Sequence, residues 1–155
     1  MSELRLVWRD YNPEDDARWV LKSWLTSYMT SREVQAIDRD VYFAAYHPLV
    51  SDCIQRSETR IVYDEEVGAD AIVGWRCMSR DGSLLHYVHV RNRWRKLGVA
   101  KWMLAGMYEL DGAYTHAPPM PASRLLGDGW RYEPWRRLAS KEKEHHGKVS
   151  RAAER

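Results

Sequence analysis

Between Leu84 and Leu104 the hydrophobic period changes in mid-course, and few folds accept a chain that does this. Leu84 to Val90 is aliphatic or aromatic apart from His86 and His89, and it reads as a buried strand. From Val99 the apolar positions follow helical spacing instead. Val99, Met103, Gly106, Met107 and Leu110 fall at i, i+4, i+7, i+8 and i+11, one face of a helix that Asp111-Gly112 should end. Arg95-Lys-Leu-Gly-Val-Ala100 joins the two, so a glycine and several cations meet at a helix start.

A turn of this composition suits an anion. The first amides of a helix have no acceptor within it, and the helix dipole makes that end positive. Gly98 lets the backbone approach a phosphate closely. Arg91, Arg93, Arg95, Lys96 and Lys101 surround the turn, and no acid occurs between residues 91 and 102. The spacing alone also fits a basic helix start on an ordinary α/β domain, or a nucleic-acid contact.

The run Val90-(x4)-Arg95-x-x-Gly98-x-Ala100 after a strand resembles the acyl-CoA motif of the GNAT superfamily of N-acyltransferases, R/Q-x-x-G-x-G/A. The likeness covers roughly residues 4–135. In general character, small and tryptophan-rich, the chain also resembles GNAT-like proteins carried by bacteriophages. The resemblance implies an α/β (α+β) fold with a central mixed β-sheet flanked by helices, its fourth and fifth strands splayed apart to admit acetyl-CoA. It implies that Val88 and Val90 offer backbone groups to the pantetheine arm. The diphosphate then falls to the amides of Arg95, Lys96, Leu97, Gly98, Val99 and Ala100, with the Arg95 and Lys96 side chains adding charge.

The elements along the chain agree with that order. Leu4 to Trp8 alternates as a strand. Asn12-Pro13-Glu14-Asp15-Asp16 is a helix start: a capping side chain, a proline in the first turn and acids near the positive end. Ala17, Val20, Leu21, Trp24, Leu25 and Tyr28 form its apolar face, ending near Met29. Residues 33–56 read as helix in two pieces divided at Pro48, which lacks an N–H and disfavours helix at His47. Tyr42, Phe43, Tyr46 and His47 read first as core. Strands follow at 59–63 and 71–78, the latter with Gly74 as a bulge or close approach. Arg80-Asp-Gly-Ser83 is a hairpin turn. After the central stretch come a short strand at 113–116, a short helix at 122–126 and a last strand at 130–135. Residues 127–138 are too few for the hairpin that closes the sheet in the GNAT family, and a homodimer is one way to make up the difference.

Composition sets outer bounds. A chain of 155 residues makes one domain, here 1–138, followed by a charged tail, 139–155, that reads as disordered. A net charge of +2 gives no bulk attraction to nucleic acid. Cys53 and Cys77 lack metal-ligand spacing and suit reduced thiols in a cytoplasmic protein, or a host cytoplasm if phage-encoded. No run of 18 apolar residues or signal peptide is legible, so no membrane role is expected.

Acyl transfer to an amine needs a donor for the developing oxyanion, a proton acceptor and an acid for the leaving thiolate. His86 and His89 are the candidate bases. Three residues apart on a strand, they point to opposite faces, His86 with Val88 and Val90, His89 with Leu85 and Tyr87. That geometry, with no third ligand, argues against a metal site. The family places a tyrosine acid shortly before a Gly-aromatic pair. Gly129-Trp130 fits the pair, but the tyrosine position holds Leu125, so Tyr132 is the candidate substitute, with Thr115 and His116 also near the fifth strand's end. The expected activity is N-acetyl transfer from acetyl-CoA to a primary amine, on a small molecule or a protein, by direct attack in a ternary complex. The rival reading is a catalytically inactive binding or inhibitor protein, whose basic turn takes a nucleic acid or protein partner. A third combines the two, as a GNAT-like enzyme that modifies nucleic acid.

Overall fold

A computed structural model describes residues 3–116 and 125–137. The expected tail at 139–155 and most of the short helix at 122–126 lie outside the described residues. Within them the order is β1 (Leu6–Asp10), α1 (Pro13–Tyr28), α2 (Arg39–Arg56), β2 (Glu58–Asp64), β3 (Ile72–Met78), β4 (Leu84–Val90), α3 (Val99–Met103), β5 (Gly112–Tyr114) and β6 (Trp130–Tyr132). One sheet holds all six strands in sequence order. β1 to β4 run antiparallel to their neighbours, while β4, β5 and β6 are mutually parallel. This is the mixed, split sheet flanked by helices that the GNAT resemblance implies.

α1 begins where its sequence says it should. The Asn12 side chain accepts from the Glu14 amide, and Pro13 opens the helix. Asp16 turns back to β1, taking two bonds from the Arg9 guanidinium at 2.7 and 2.9 Å and one from the Asn12 amide at 2.8 Å. The Arg9 bond holds its carboxyl below the usual carboxylate range despite burial. Val20, Trp24, Leu25 and Tyr28 of α1 pack with Tyr42, Val50, Cys53 and Ile54 of α2 onto Ile61, Trp75, Cys77 and Tyr87 of the sheet. Half of the Trp, Tyr and Phe residues pack in or against this core. Trp24 stacks on Tyr87 at 5.0 Å and meets Trp75 at 5.4 Å, and Tyr42 donates to the Leu25 carbonyl.

Three expectations need correction. α2 is one helix, unbroken at Pro48, and it starts at Arg39 rather than Glu33, because Asp38 caps it through the amides of Asp40 and Val41. The proline forfeits one helical bond, but Tyr42 before it and Val50, Cys53 and Ile54 after it anchor both halves in the same core. α3 stops at Met103 instead of reaching Leu110. Gly106 adopts a left-handed φ of +84°, and Leu110 stays 54% exposed, so no packing pulls the last two turns into helix. The sheet's end is closed by one strand, β6, parallel to β5, in place of the two strands of a hairpin, with the Trp130 indole N–H donating to the Met107 carbonyl.

On the second face of the sheet Val99 and Met103 of α3 pack with Val62 and Val73, while Leu104, Met107, Leu126 and Trp130 cover Met78 and Leu85. Gly74 is a close approach, as expected. The register shifts beside it, between Val62 and Tyr63, and a Cβ on Gly74 would collide with the His89 carbonyl. Backbone cannot yield as a side-chain tip can, so Gly74→Ala should cost about 1–3 kcal/mol. The midpoint of urea unfolding, against that of the unaltered chain, measures this.

Candidate active site

The site starts where the parallel ladder stops. β4 pairs with β5 only at Leu84↔Ala113 and Leu85↔Tyr114, with one further bond from the Thr115 amide to the Leu85 carbonyl at 3.0 Å. From Tyr87 onward β4 pairs with β3 on one side and, among the described residues, with no strand on the other. At His86 β4 bulges. Tyr87 pairs with Cys77 and Leu85 with Met78, so His86 is an extra residue without a partner on β3.

The bulge changes the faces that simple alternation predicts. Tyr87 and His89 do share a face, against Trp24, Trp19 and Trp75. Leu85, however, packs in the same cluster as Val88. The backbone is re-aimed too. The Arg91 amide bonds to Val73, and the His89 carbonyl abuts Gly74, so both residues turn to β3. By alternation Val88 and Val90 present N–H and C=O to the open side. The Val90 carbonyl there accepts from Arg95 Nε at 2.9 Å.

An open cleft of about 1240 Å³ follows this free edge. Tyr87 to Val90 form its floor, and Trp19, Ser23 and Ser27 of α1, with Thr30 just beyond its end, form one wall. The basic turn closes the far end through Arg95, Lys96, Gly98 and Ala100, and Leu125 lines the near side. The turn is built from a single 3-10 turn at Asn92–Trp94 and two left-handed residues, Lys96 (φ +63°) and Gly98 (φ +80°). No heavy atom stands within 4 Å of where a Gly98 Cβ would be, so the space before it is open to an anion. Its glycine serves the dihedral as well as the approach. Leu97 is 56% exposed and does not line the cleft, and the Val99 side chain is committed to the core.

The cations of the turn are set apart by their crowding on one cleft. Arg5, Arg9, Arg56, Arg136 and Arg137 all pair with carboxylates. Among the described residues Arg91, Arg93, Arg95, Lys96 and Lys101 form no ion pair. Among those residues Arg18, Lys22, Arg32, Arg39, Arg60, Arg76, Arg80 and Arg131 form none either, but they do not line the cleft. Five like charges held together without counter-ions describe a site shaped for an anion.

The candidate catalytic residues are not gathered in one place. His89 lines the cleft, stacked on Trp75 at 5.8 Å and edge-on to Trp19 at 6.1 Å. Burial first, then Arg95 and Arg91, lower its pKa to about 4, so it is a neutral imidazole at pH 7. His86 lies in the gap between β4 and β5, away from the cleft. Its Nδ1 is 2.8 Å from Thr115 Oγ1, which is 2.9 Å from Nδ1 of His116. A hydroxyl carries one proton, so Thr115 donates to one imidazole and accepts from the other, and the two rings take opposite tautomers at Nδ1. Thr115 and His116 are buried, His116 edge-on to Trp24 and Tyr28, and neither lines the cleft. Tyr132 stacks on Tyr114 at 5.3 Å outside the cleft, its phenol pushed up by burial and by Glu33.

Two lining groups escape sequence reading. Trp19 stands off the apolar stripe of α1, and a tryptophan outside the core face was the signal available. The bond between Ser27 Oγ and Tyr87 OH, at 2.8 Å, joins residues 60 apart and has no local signature.

The buried histidines make stability depend on pH. His86, like His89, is held at about 4, chiefly by burial, and His116 lies well below its ordinary value for the same reason. In the unfolded chain these rings take up protons near 6.5, so between pH 6.5 and 4 the unfolded state binds more protons and stability falls with falling pH. The loss should be on the order of 1–2 kcal/mol per histidine by pH 5. Urea midpoints at pH 7 and pH 5 measure it.

No family model matches the chain, and no curated protein is similar to it. Among solved structures it is similar to the apo form of YjaB from Escherichia coli, at 16% identity over 65% of this chain and 63% of that one, with a TM-score of 0.48. The chain thus spans less than two thirds of YjaB. It is also similar to a possible acetyltransferase from Clostridium difficile 630, at 17% identity, 84% and 80% coverage and a TM-score of 0.45. An acetyltransferase of the GNAT family from Staphylococcus aureus Mu50 is a third likeness, at 17% identity, 64% and 61% coverage and a TM-score of 0.39.

Proposed function

We propose that this protein is an N-acyltransferase that moves an acetyl group from acetyl-CoA to a primary amine by direct attack in a ternary complex. One observation carries the reading: the edge of β4, unpaired among the described residues, runs into a cleft lined by five cations that form no ion pair among those residues and by an open, left-handed Gly98. An extended arm needs backbone partners along a strand edge, and a diphosphate needs amides and unpaired cations at its end. The cleft offers both, in that order.

The bound thioester supplies an activated carbonyl, and transfer forms a C–N bond as the C–S bond breaks. The chain's residues have separate tasks. The amides of Lys96 to Ala100 and the charges of Arg95 and Lys96 hold the diphosphate. Backbone groups of Val88 and Val90 align the arm, and the Val88 N–H is the available donor to a carbonyl oxygen that gains negative charge. His89 is neutral and accepts the proton that the amine gives up, directly or through one water. Leu125 brings no acid to the leaving sulfur and Tyr132 stands outside the cleft, so the thiolate takes its proton from water. His86 holds Thr115 in the strand gap and touches neither reactant.

Isothermal calorimetry with acetyl-CoA is the first test, and binding in the micromolar range is expected. Gly98→Glu, which puts bulk and negative charge before the turn, should weaken binding at least ~100-fold, or about 2.7 kcal/mol. Unchanged affinity in a folded variant refutes the cradle. His89→Gln should lower kcat by about 100-fold with little change in acetyl-CoA affinity, read from the rate of thiol release. The same unpaired cations favour a second reading, a non-catalytic protein that holds nucleic acid. It predicts no acetyl-CoA heat and DNA binding that falls steeply with salt.

A further inference from the structure

The cleft wall beside the basic turn says what kind of amine would enter, a conclusion that rests on the acyltransferase reading. Trp19, His89 and Arg91 meet there. The Arg91 guanidinium lies 5.9 Å from the centre of the Trp19 ring, and the Trp19 ring is edge-on to His89. One Arg91 nitrogen donates to the Ile72 carbonyl at 3.2 Å, which fixes the side chain and leaves most of its donors free. Arg91 forms no ion pair among the described residues.

Among the described residues no carboxylate lines the cleft. The nearest acidic run, in the turn after β2, reaches the cleft only through Val67 and Ala71. Glu66 pairs with Arg5 at 3.5 Å, and Asp64 accepts from the Glu66 amide. Asp70 adds a lesser charge interaction to Arg9 of β1. A polyamine or a lysine-rich peptide would carry extra positive charges into a site with nothing to receive them. An amine with its own anionic group would bring the counter-charge that Arg91 lacks.

We infer that the acceptor is a small amine bearing a carboxylate or phosphate, with that anion on Arg91, its body on the Trp19 ring and its nitrogen beside His89. The positive surroundings help the reaction as well as the binding. They favour loss of a proton from the incoming ammonium, as they already disfavour a proton on His89. The balance is complete: the amine nitrogen gains the acyl carbon, the sulfur leaves with the bonding pair and takes a proton, and one net proton passes through His89 to solvent.

The test uses matched pairs in a thiol-release assay with acetyl-CoA: an amino acid against its carboxamide, and an aminoalkyl phosphate against the parent amino alcohol. Spermidine and a lysine-rich peptide complete the panel. At least one anionic member should exceed its neutral partner about tenfold or more in kcat/KM, and which pair shows the larger gap tells carboxylate from phosphate. Arg91→Gln should raise KM for the anionic member about tenfold and remove the gap, whereas kcat for the neutral partner should move far less than that KM. Arg91→Lys should restore part of it. Equal use of spermidine, a gap that survives Arg91→Gln, or acetyl-CoA binding with no turnover of any anionic amine overturns the inference. Absence of acetyl-CoA heat in calorimetry instead fells the acyltransferase reading on which it stands.

Discussion

A parallel ladder that ends after two pairs is the constraint on which this structure turns. Four residues of β4, Tyr87 to Val90, keep β3 as a partner and have no β5 partner. Unpaired strand edges in a protein interior need their amides and carbonyls satisfied, and they invite another extended chain. Here the edge is managed in three ways. The bulge at His86 turns the strand and re-aims its groups. Arg95 returns to the Val90 carbonyl. What remains faces a cleft instead of a packed interior.

The parting itself is held open by polar chemistry. Thr115 joins His86 and His116 just past the last β4–β5 pair, at 2.8 and 2.9 Å. Three neutral groups in a row, each fixing the next one's proton, form a directional bridge in a place where apolar side chains would zip the strands together. The rings around it, Trp24, Tyr28 and Tyr87, exclude water from the bridge. They also explain why a chain rich in Trp and Tyr can spend so many of them inside: tilted and edge-on contacts fill the space between α1 and the sheet.

The sequence made some of this legible and hid the rest, for physical reasons. The period change after Val90, the Asn12-Pro13 start of α1 and the Gly74 approach are local signals, and each local preference agrees with its tertiary setting. Where the two disagreed, packing won. Pro48 argued for a break in α2, but core residues on both sides hold it helical. Met107 and Leu110 continued the helical spacing of α3, but Gly106 turned the chain and Met107 found its partners by another route. The basic turn, Val88, Val90 and His89 were visible because strand and turn chemistry is local. The retreat of His86 into the strand gap was not, since it follows from one extra residue in β4 and from Thr115, 29 positions away. The closing strand's direction was equally hidden, because nothing within residues 127–137 distinguishes a parallel neighbour from an antiparallel one.

Two side-chain bonds fasten α1 across the middle of the sheet: the Trp75 indole N–H to Ser23 Oγ at 2.9 Å, and the Tyr87 hydroxyl with Ser27 Oγ at 2.8 Å. They fall one helical turn apart on the very wall that borders the cleft. Wall and floor are thereby riveted, so the aperture between them has a set gauge before anything enters. Selectivity in such a molecule is a matter of fit to a fixed mould, and a descendant that needed a wider mouth would have to recut both rivets at once.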